Sequence, residues 1–302
     1  MNDGKLLKKK KTVLHYWRDY AAIAPFFIIF FTLTVLPVVI SIFISFTYYN
    51  ILETPTFVGL HNYQMLLFHD EVFQKAVMNT LVLAVIIGPV GYIASLLIAW
   101  MLNELPSRLR TLLVFFIYAP SISGNAFLIW QLIFSEDAHG YLNSMLMYLG
   151  ITDGVVYWLS DPKYMMTVVI IVSLWMSMGS GFLSFVAGLQ GIPASLLEAG
   201  VMDGISNRWQ ELWFVILPIL KPQLMFGAVM SISSAFSVGA VSSALCGMPS
   251  TDYAVHTVLN HLTDYGGTRF QMGYASAIAT LLFLAMLLSN ALVQRLLRRV
   301  GE

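Results

Sequence analysis

Long apolar runs alternate with short polar connections along this chain. Six of the runs, at about 21–47, 76–102, 111–134, 164–188, 222–246 and 273–294, hold no Asp, Glu, Lys, Arg or His. Each exceeds the roughly 20 residues a helix needs to cross the hydrocarbon of a bilayer. Backbone N–H and C=O groups find no water there, so an uncharged run of this length must satisfy them internally, as a helix does. The pattern predicts an all-α membrane protein with six transmembrane helices, built as a single domain over residues 1–302. The connections between the runs are too short for an independently folded domain.

Charge placement gives the orientation. Thirteen of the 16 Lys and Arg residues fall on one side: Lys5, Lys8, Lys9, Lys10, Lys11, Arg18, Arg108, Arg110, Arg208, Lys221, Arg295, Arg298 and Arg299. Lys75, Lys163 and Arg269 fall on the other. The positive-inside rule then makes both termini cytoplasmic, with a basic N-terminal segment at 1–20 and a long cytoplasmic loop at 189–221. The expected location is a membrane crossed several times, with these segments facing the cytoplasm. The tract Lys8–Lys11 reads as a membrane-surface anchor beside lipid, and no nucleic-acid partner is expected. Overall, 58% of residues are hydrophobic and 11% charged, with a mean hydropathy of +0.76. A soluble domain carries roughly twice that charged share. The formal net charge of zero averages two differently charged faces. Cys246 is the only cysteine, which excludes an intrachain disulfide and a cysteine-based metal site.

Several chemistries are missing. No G-x-x-x-x-G-K-[ST] phosphate loop and no H-E-x-x-H occur. All six histidines lie outside the runs; His256 and His261 stand five apart, a spacing that does not share a helical face. Ionisable groups within the membrane mark proton relays and ion-coupled carriers. Their absence argues against a stand-alone secondary transporter and more strongly against an intramembrane enzyme, so no catalytic residue, cofactor or metal ligand is assigned.

The polar groups left inside the runs are hydroxyls, an amide and aromatics. Ser121 and Asn125 are four apart in the third run. Ser173, Ser177 and Ser180, with Trp175, follow helical spacing in the fourth, and Ser231, Ser234 and Ser237 do so in the fifth. Three facing stripes of this kind would form a neutral, hydroxyl-rich passage suited to a polyol such as a sugar. The competing reading is that such serines bond their own helix carbonyls and let helices pack closely.

The loop at 189–221 is patterned for structure. Ser195 and Glu198 have capping-box spacing, which predicts a short helix starting after Ser195. Gly204 can end it in a left-handed conformation, and Ser206 or Asn207 can cap a second helix running to Leu217-Pro218. A helix pair held at a membrane surface is shaped to receive a push from another protein.

Its segment Glu198-Ala199-Gly200-Val201-Met202-Asp203-Gly204, followed by Leu217-Pro218, resembles the signature of permease subunits of bacterial ABC importers, of the sugar type related to maltose and lactose permeases. Further marks are Phe57-Val58-Gly59-Leu60-His61-Asn62-Tyr63, Asn79-Thr80, Leu189-Gln190-Gly191-Ile192-Pro193, Lys221-Pro222 and Met272-Gly273-Tyr274-Ala275-Ser276-Ala277-Ile278-Ala279. The resemblance implies a type I ABC importer transmembrane domain. It implies that Glu198, Ala199, Gly200, Asp203 and Gly204 couple to a separate ATPase, with Gly200 standing where alanine is common. Its implied partners are a second permease, two ATPase subunits that bind the ATP and Mg, and an extracytoplasmic solute-binding protein. The positions aligned with substrate contacts in maltose-type relatives include Ser173, Ser177, Ser180, Ser234 and Ser237, smaller here than in those relatives. The expected cargo is an oligosaccharide or related polyol; glycerol phosphate or a peptide-like solute is the alternative within the same importer class.

Overall fold

The computed structural model describes residues 17–298, so the basic tract Lys8–Lys11, Lys5 and Arg299 lie outside the described residues. Among the described residues, five helices are long and apolar enough to cross a membrane: Tyr20–Ile44, Glu71–Asn103, Pro162–Gln190, Lys221–Cys246 and Met272–Leu297. The predicted third span is instead two helices, Ser107–Ile122 and Phe127–Ile133, bent by 92°. Counting that pair as one gives the six expected. Pro120 and Gly124 flank the corner, where helix continuation is least favoured. The fourth and fifth spans are also interrupted, at Ser177–Gly179 and at Ser237–Val238.

Spans two, four and five pack as the body. On the side carrying residues 189–221 their core is Ala99 and Leu102 with Phe182, Phe185, Val186, Leu189 and Leu224. A second core, of Leu83, Ile87, Met165, Val168, Val169, Val172 and Leu245, lies toward the opposite side. The first span contributes no buried residue over its most apolar stretch. It is fixed at its end by a clasp: Asn62 donates to the carbonyls of Ser45 and Thr47, both at 2.9 Å, and Tyr63 meets Ser45 Oγ at 2.7 Å. Between them a two-stranded antiparallel hairpin pairs Thr47–Tyr48 with Thr56–Phe57, a small exception to the all-α expectation. On the same side, residues 135–161 fold around Asn143, which is fully buried. Its amide donates to the carbonyls of Ser135, Asp137 and Val156 and accepts from Val156 N and Trp158 Nε1.

Candidate functional site

The 189–221 loop is a helix pair. Its first helix, Ala194–Met202, starts from Pro193 and has no side-chain cap, so the capping box expected of Ser195 and Glu198 does not form. Pro193 at φ −62° and ψ 132° occupies the cap position itself, placing Ser195 inside the first turn, where its side chain cannot act as a cap. The far end matches expectation. Gly204 has φ +95°, Ile205 N donates to Gly200 O at 3.0 Å and Gly204 N to Val201 O at 3.1 Å. These two bonds form the Schellman pattern that satisfies the last free carbonyls of a helix. Asn207 is the cap of the next helix, accepting from Gln210 N at 2.9 Å, while Gln210 Oε1 accepts in return from Ser206 N at 2.9 Å. That helix runs from Arg208 through a wider turn at Leu212–Ile216 to Leu217–Ile219.

One face of the pair is built into the body. Leu212, Ile216, Leu217 and Leu220 belong to the same core as Phe182 and Phe185. Gly200 is buried at the crossing of the two helices, where a Cβ would stand 3.0 Å from Ile205 Cδ1 and 3.1 Å from Val215 Cγ2. Alanine there is tight, so glycine sets how closely the second helix approaches the first. Arg208 joins Glu211 at 3.0 Å and reaches Glu104, in the turn between spans two and three, at 3.4 Å. Trp209 packs on Trp100 with ring centroids 5.2 Å apart. The other face is open. Glu198, Ala199, Asp203 and Gly204 are exposed, and Met202 is 87% and Phe214 72% exposed. A cleft of about 630 Å³ between the helices is lined by Leu196, Ala199, Asp203, Gly204, Phe214 and Pro218.

The serine stripes are reshaped by the helix breaks. Ser121 ends the first half of span three and its hydroxyl lies 2.8 Å from Met178 O and 3.3 Å from Met176 O, meeting carbonyls released where span four breaks. Ser177 donates to Leu174 O at 2.7 Å and Ser237 to Ser233 O at 2.8 Å, the helix-bonding role. Ser173 is 3% exposed and its hydroxyl has no partner, so it does not share an open stripe with Ser177. Trp175 lies edge-on to Trp130, with ring centroids 5.5 Å apart. Asn125, Ser234 and Ser237 are exposed and Ser180 is half-buried. A narrow void of about 20 Å³ does gather Ser177, Ser180, Ser231 and Ser234, together with Tyr92 and Ser95 of span two. It has room for about one water. Tyr92 and Ser95 are additions that the sequence reading missed; the small residues Gly88, Gly91 and Ser95 along one face of span two were the available sign of close packing.

On the opposite side the structure brings His256 and His261 together, Nε2 to Nδ1 at 3.3 Å, across a helix cap and not along one helical face. No group of three or more potential metal ligands occurs among the described residues.

Residues 91–302 match the family model described as the binding-protein-dependent transport system inner membrane component. The chain belongs to this family. It is similar to the probable ABC transporter permease protein YesP of Bacillus subtilis (strain 168), 34% identical and covering 92% of this chain and 90% of that one. It is 29% identical to the arabinooligosaccharides transport system permease protein AraP of Halalkalibacterium halodurans, over 88% of this chain and 83% of that one. Among solved structures, a chain of a bacterial ABC transporter that imports the acidic polysaccharide alginate superposes with a TM-score of 0.77, at 22% identity, covering 96% of this chain and 98% of that chain. As a family member this permease is a non-enzymatic, multi-pass component of the cytoplasmic membrane, of the sugar-type ABC importer class.

Proposed function

We propose that this permease forms half of the translocation pathway for an oligosaccharide or related polyol, and that the helix pair within 195–218 couples it to a separate ATPase. The observation that carries the coupling role is the division of the helix pair into two faces. One face shares a continuous apolar core with spans two, four and five, and the other leaves Ala199, Met202, Asp203, Gly204 and the cleft open to a partner. A force applied to the open face is transmitted to the spans because close-packed interiors deform little. The charge bias of the connections supports placing this side, and both termini, in the cytoplasm. The exposed neutral side chains of Asn125 and Ser234 support an uncharged polyhydroxylated cargo, with a second permease closing the passage from the facing side. An extracytoplasmic binding protein would deliver the solute, and two ATPase subunits would supply the cycle.

The test is affinity isolation of the tagged chain from its native membrane, followed by mass spectrometry and by uptake measurements on the reconstituted material. Recovery of an ATPase, a second permease and a solute-binding protein, with ATP-dependent uptake of the sugar that protein binds, is expected. Solute uptake by this chain alone, without ATP, would refute the coupling role.

A further inference from the structure

The side opposite the helix pair holds a buried chain of titratable groups that the serine-lined passage does not use. Tyr274 OH donates to Asp70 Oδ2 at 2.8 Å, His261 Nε2 lies 3.1 Å from the same oxygen, and His261 Nδ1 lies 3.3 Å from His256 Nε2. His256 and His261 are 4% and 2% exposed. The local fold explains how residues five apart meet. Thr257 caps the helix Val258–Thr263 in a full capping box with Asn260, so His256 precedes the cap and His261 is the fourth helical residue. Side chains at those two positions fold onto each other in the staple arrangement, here with imidazoles. The cluster joins three parts of the chain. Asn79 of span two donates to the carbonyls of Tyr253 and His256 at 3.0 and 2.9 Å, and Thr80 Oγ1 accepts from Val258 N at 2.9 Å. Asn260 Nδ2 donates to Gly239 O of span five at 3.0 Å, and Tyr274 belongs to span six.

Hydrogen-bond polarity fixes how many protons the chain can hold. Asp70 is ionised and only accepts, so His261 presents N–H at Nε2 and, when neutral, accepts at Nδ1 from His256 Nε2–H. A proton added to His256 keeps the Nε2–H donor but places a cation on a buried ring that reaches the Asp70 carboxylate only through His261. The other groups facing His256 and His261 are the rings of Tyr253, Tyr265 and Phe73. Beyond them are the Arg269–Asp264 ion pair at 2.7 Å and Lys75, which donates to Asp252 O at 2.6 Å. Neither supplies a spare carboxylate.

We propose that the Asp70–His261–His256 chain is an acid-sensitive latch, closed while His256 is neutral, which pins the 252–263 segment to spans two, five and six and releases it when His256 is protonated. The compartment whose acidity it senses follows from the orientation proposed above. Burial, and then the charge of His261, lower the His256 pKa from 6.5 to about 4. Above pH 6.5 neither closed nor open form carries the proton, and the latch has its full stability. As pH falls from 6.5 toward 4 only the open form takes it up, so stability is lost across that window. Between pH 7.5 and 4.5 these limits shift the opening equilibrium by about 70-fold.

The experiment is hydrogen exchange on the full chain in lipid nanodiscs, open to buffer on both sides, with rates normalised to unstructured peptide at each pH. Protection of the amides in Val258–Thr263 is expected to fall by about 70-fold from pH 7.5 to 4.5, with protection within the spans unchanged. His256→Gln keeps a donor for His261 but cannot gain charge, and should make protection indifferent to pH. Unchanged wild-type protection, an equal fall across the whole chain, or an equal fall in the variant overturns the proposal. Should the variant not fold, the His256 ring titration followed by NMR in the wild type decides instead. A midpoint below 5 that coincides with loss of protection supports the latch, and a midpoint near 6.5 with the helix still protected overturns it.

Discussion

Replacing Gly204 by valine perturbs the helix pair at a position where the penalty is purely one of backbone. Gly204 has φ +95°, and a Cβ built there meets nothing within 4 Å. A β-branched residue held at positive φ costs about 1–3 kcal/mol. The chain escapes that strain by opening the turn, which releases the bonds from Ile205 N to Gly200 O and from Gly204 N to Val201 O. At about 1.36 kcal/mol per factor of ten, the equilibrium between formed and opened turn shifts by roughly 5- to 150-fold. Leu212, Ile216, Leu217 and Leu220 remain in the core, so insertion and span packing are unaffected. The assay is simultaneous ATP hydrolysis and solute uptake by the complete importer in proteoliposomes. Solute carried per ATP hydrolysed should fall in proportion to the fraction of turns that open, with the same amount of protein in the membrane. Gly204→Asn should lose less, because asparagine tolerates the left-handed region. A wild-type ratio in the valine variant would refute the coupling role of this turn.

Three further outcomes are expected. Asn207→Ala removes the side-chain cap and should destabilise the second helix by about 1 kcal/mol, read as faster amide exchange over Arg208–Glu211 with no change in the spans. Ser173→Ala deletes a buried hydroxyl that has no partner and should leave thermal stability unchanged or slightly higher; a loss above about 1 kcal/mol would mean the hydroxyl is bonded in the working protein. For Asp70, burial raises the carboxyl pKa but is outweighed by the His261 bond, the Phe73 amide and Tyr274, leaving it lowered from 3.8 to about 2. A lowered carboxylate contributes stability above pH 3.8 that is lost as pH falls toward 2, about 2 kcal/mol here, so Asp70→Asn should flatten the acid limb of a denaturation profile.

The spans were legible because hydrocarbon imposes one solution on an uncharged run of 20 or more residues. Composition says nothing about where such a helix breaks, and the corners at 123–126, 177–179 and 237–238 therefore escaped a reading based on hydropathy. They matter, since each interrupts a serine series that looked continuous at helical spacing. In the helix pair the glycine stop was readable, because positive φ leaves few alternatives. The start was not, since Pro193 displaced the expected cap by two positions. The histidine pair was hidden for a related reason: spacing of five excludes contact within a helix, but not across a cap. The marks that carried the family resemblance turn out to be largely fasteners. Asn62 holds the end of span one, and Asn79 and Thr80 hold the 252–263 segment.

Those fasteners differ greatly in how far apart in the chain their partners lie, and this sets an order for biosynthesis. Asn62 bonds residues 15 and 17 positions earlier and can close as soon as the first span has left the ribosome. Thr80 and Asp70 wait for partners 178 and 191 positions later. At synthesis rates of about 5–20 residues per second, that interval is roughly ten to forty seconds. For that time the Asp70 end of span two carries a carboxylate, an amide and a hydroxyl without their final partners, at the edge of the bilayer. A nascent permease is therefore held together first at span one and last at span six. Chains truncated before residue 256 should sit in the membrane with span two unsecured, a form for membrane quality control to recognise.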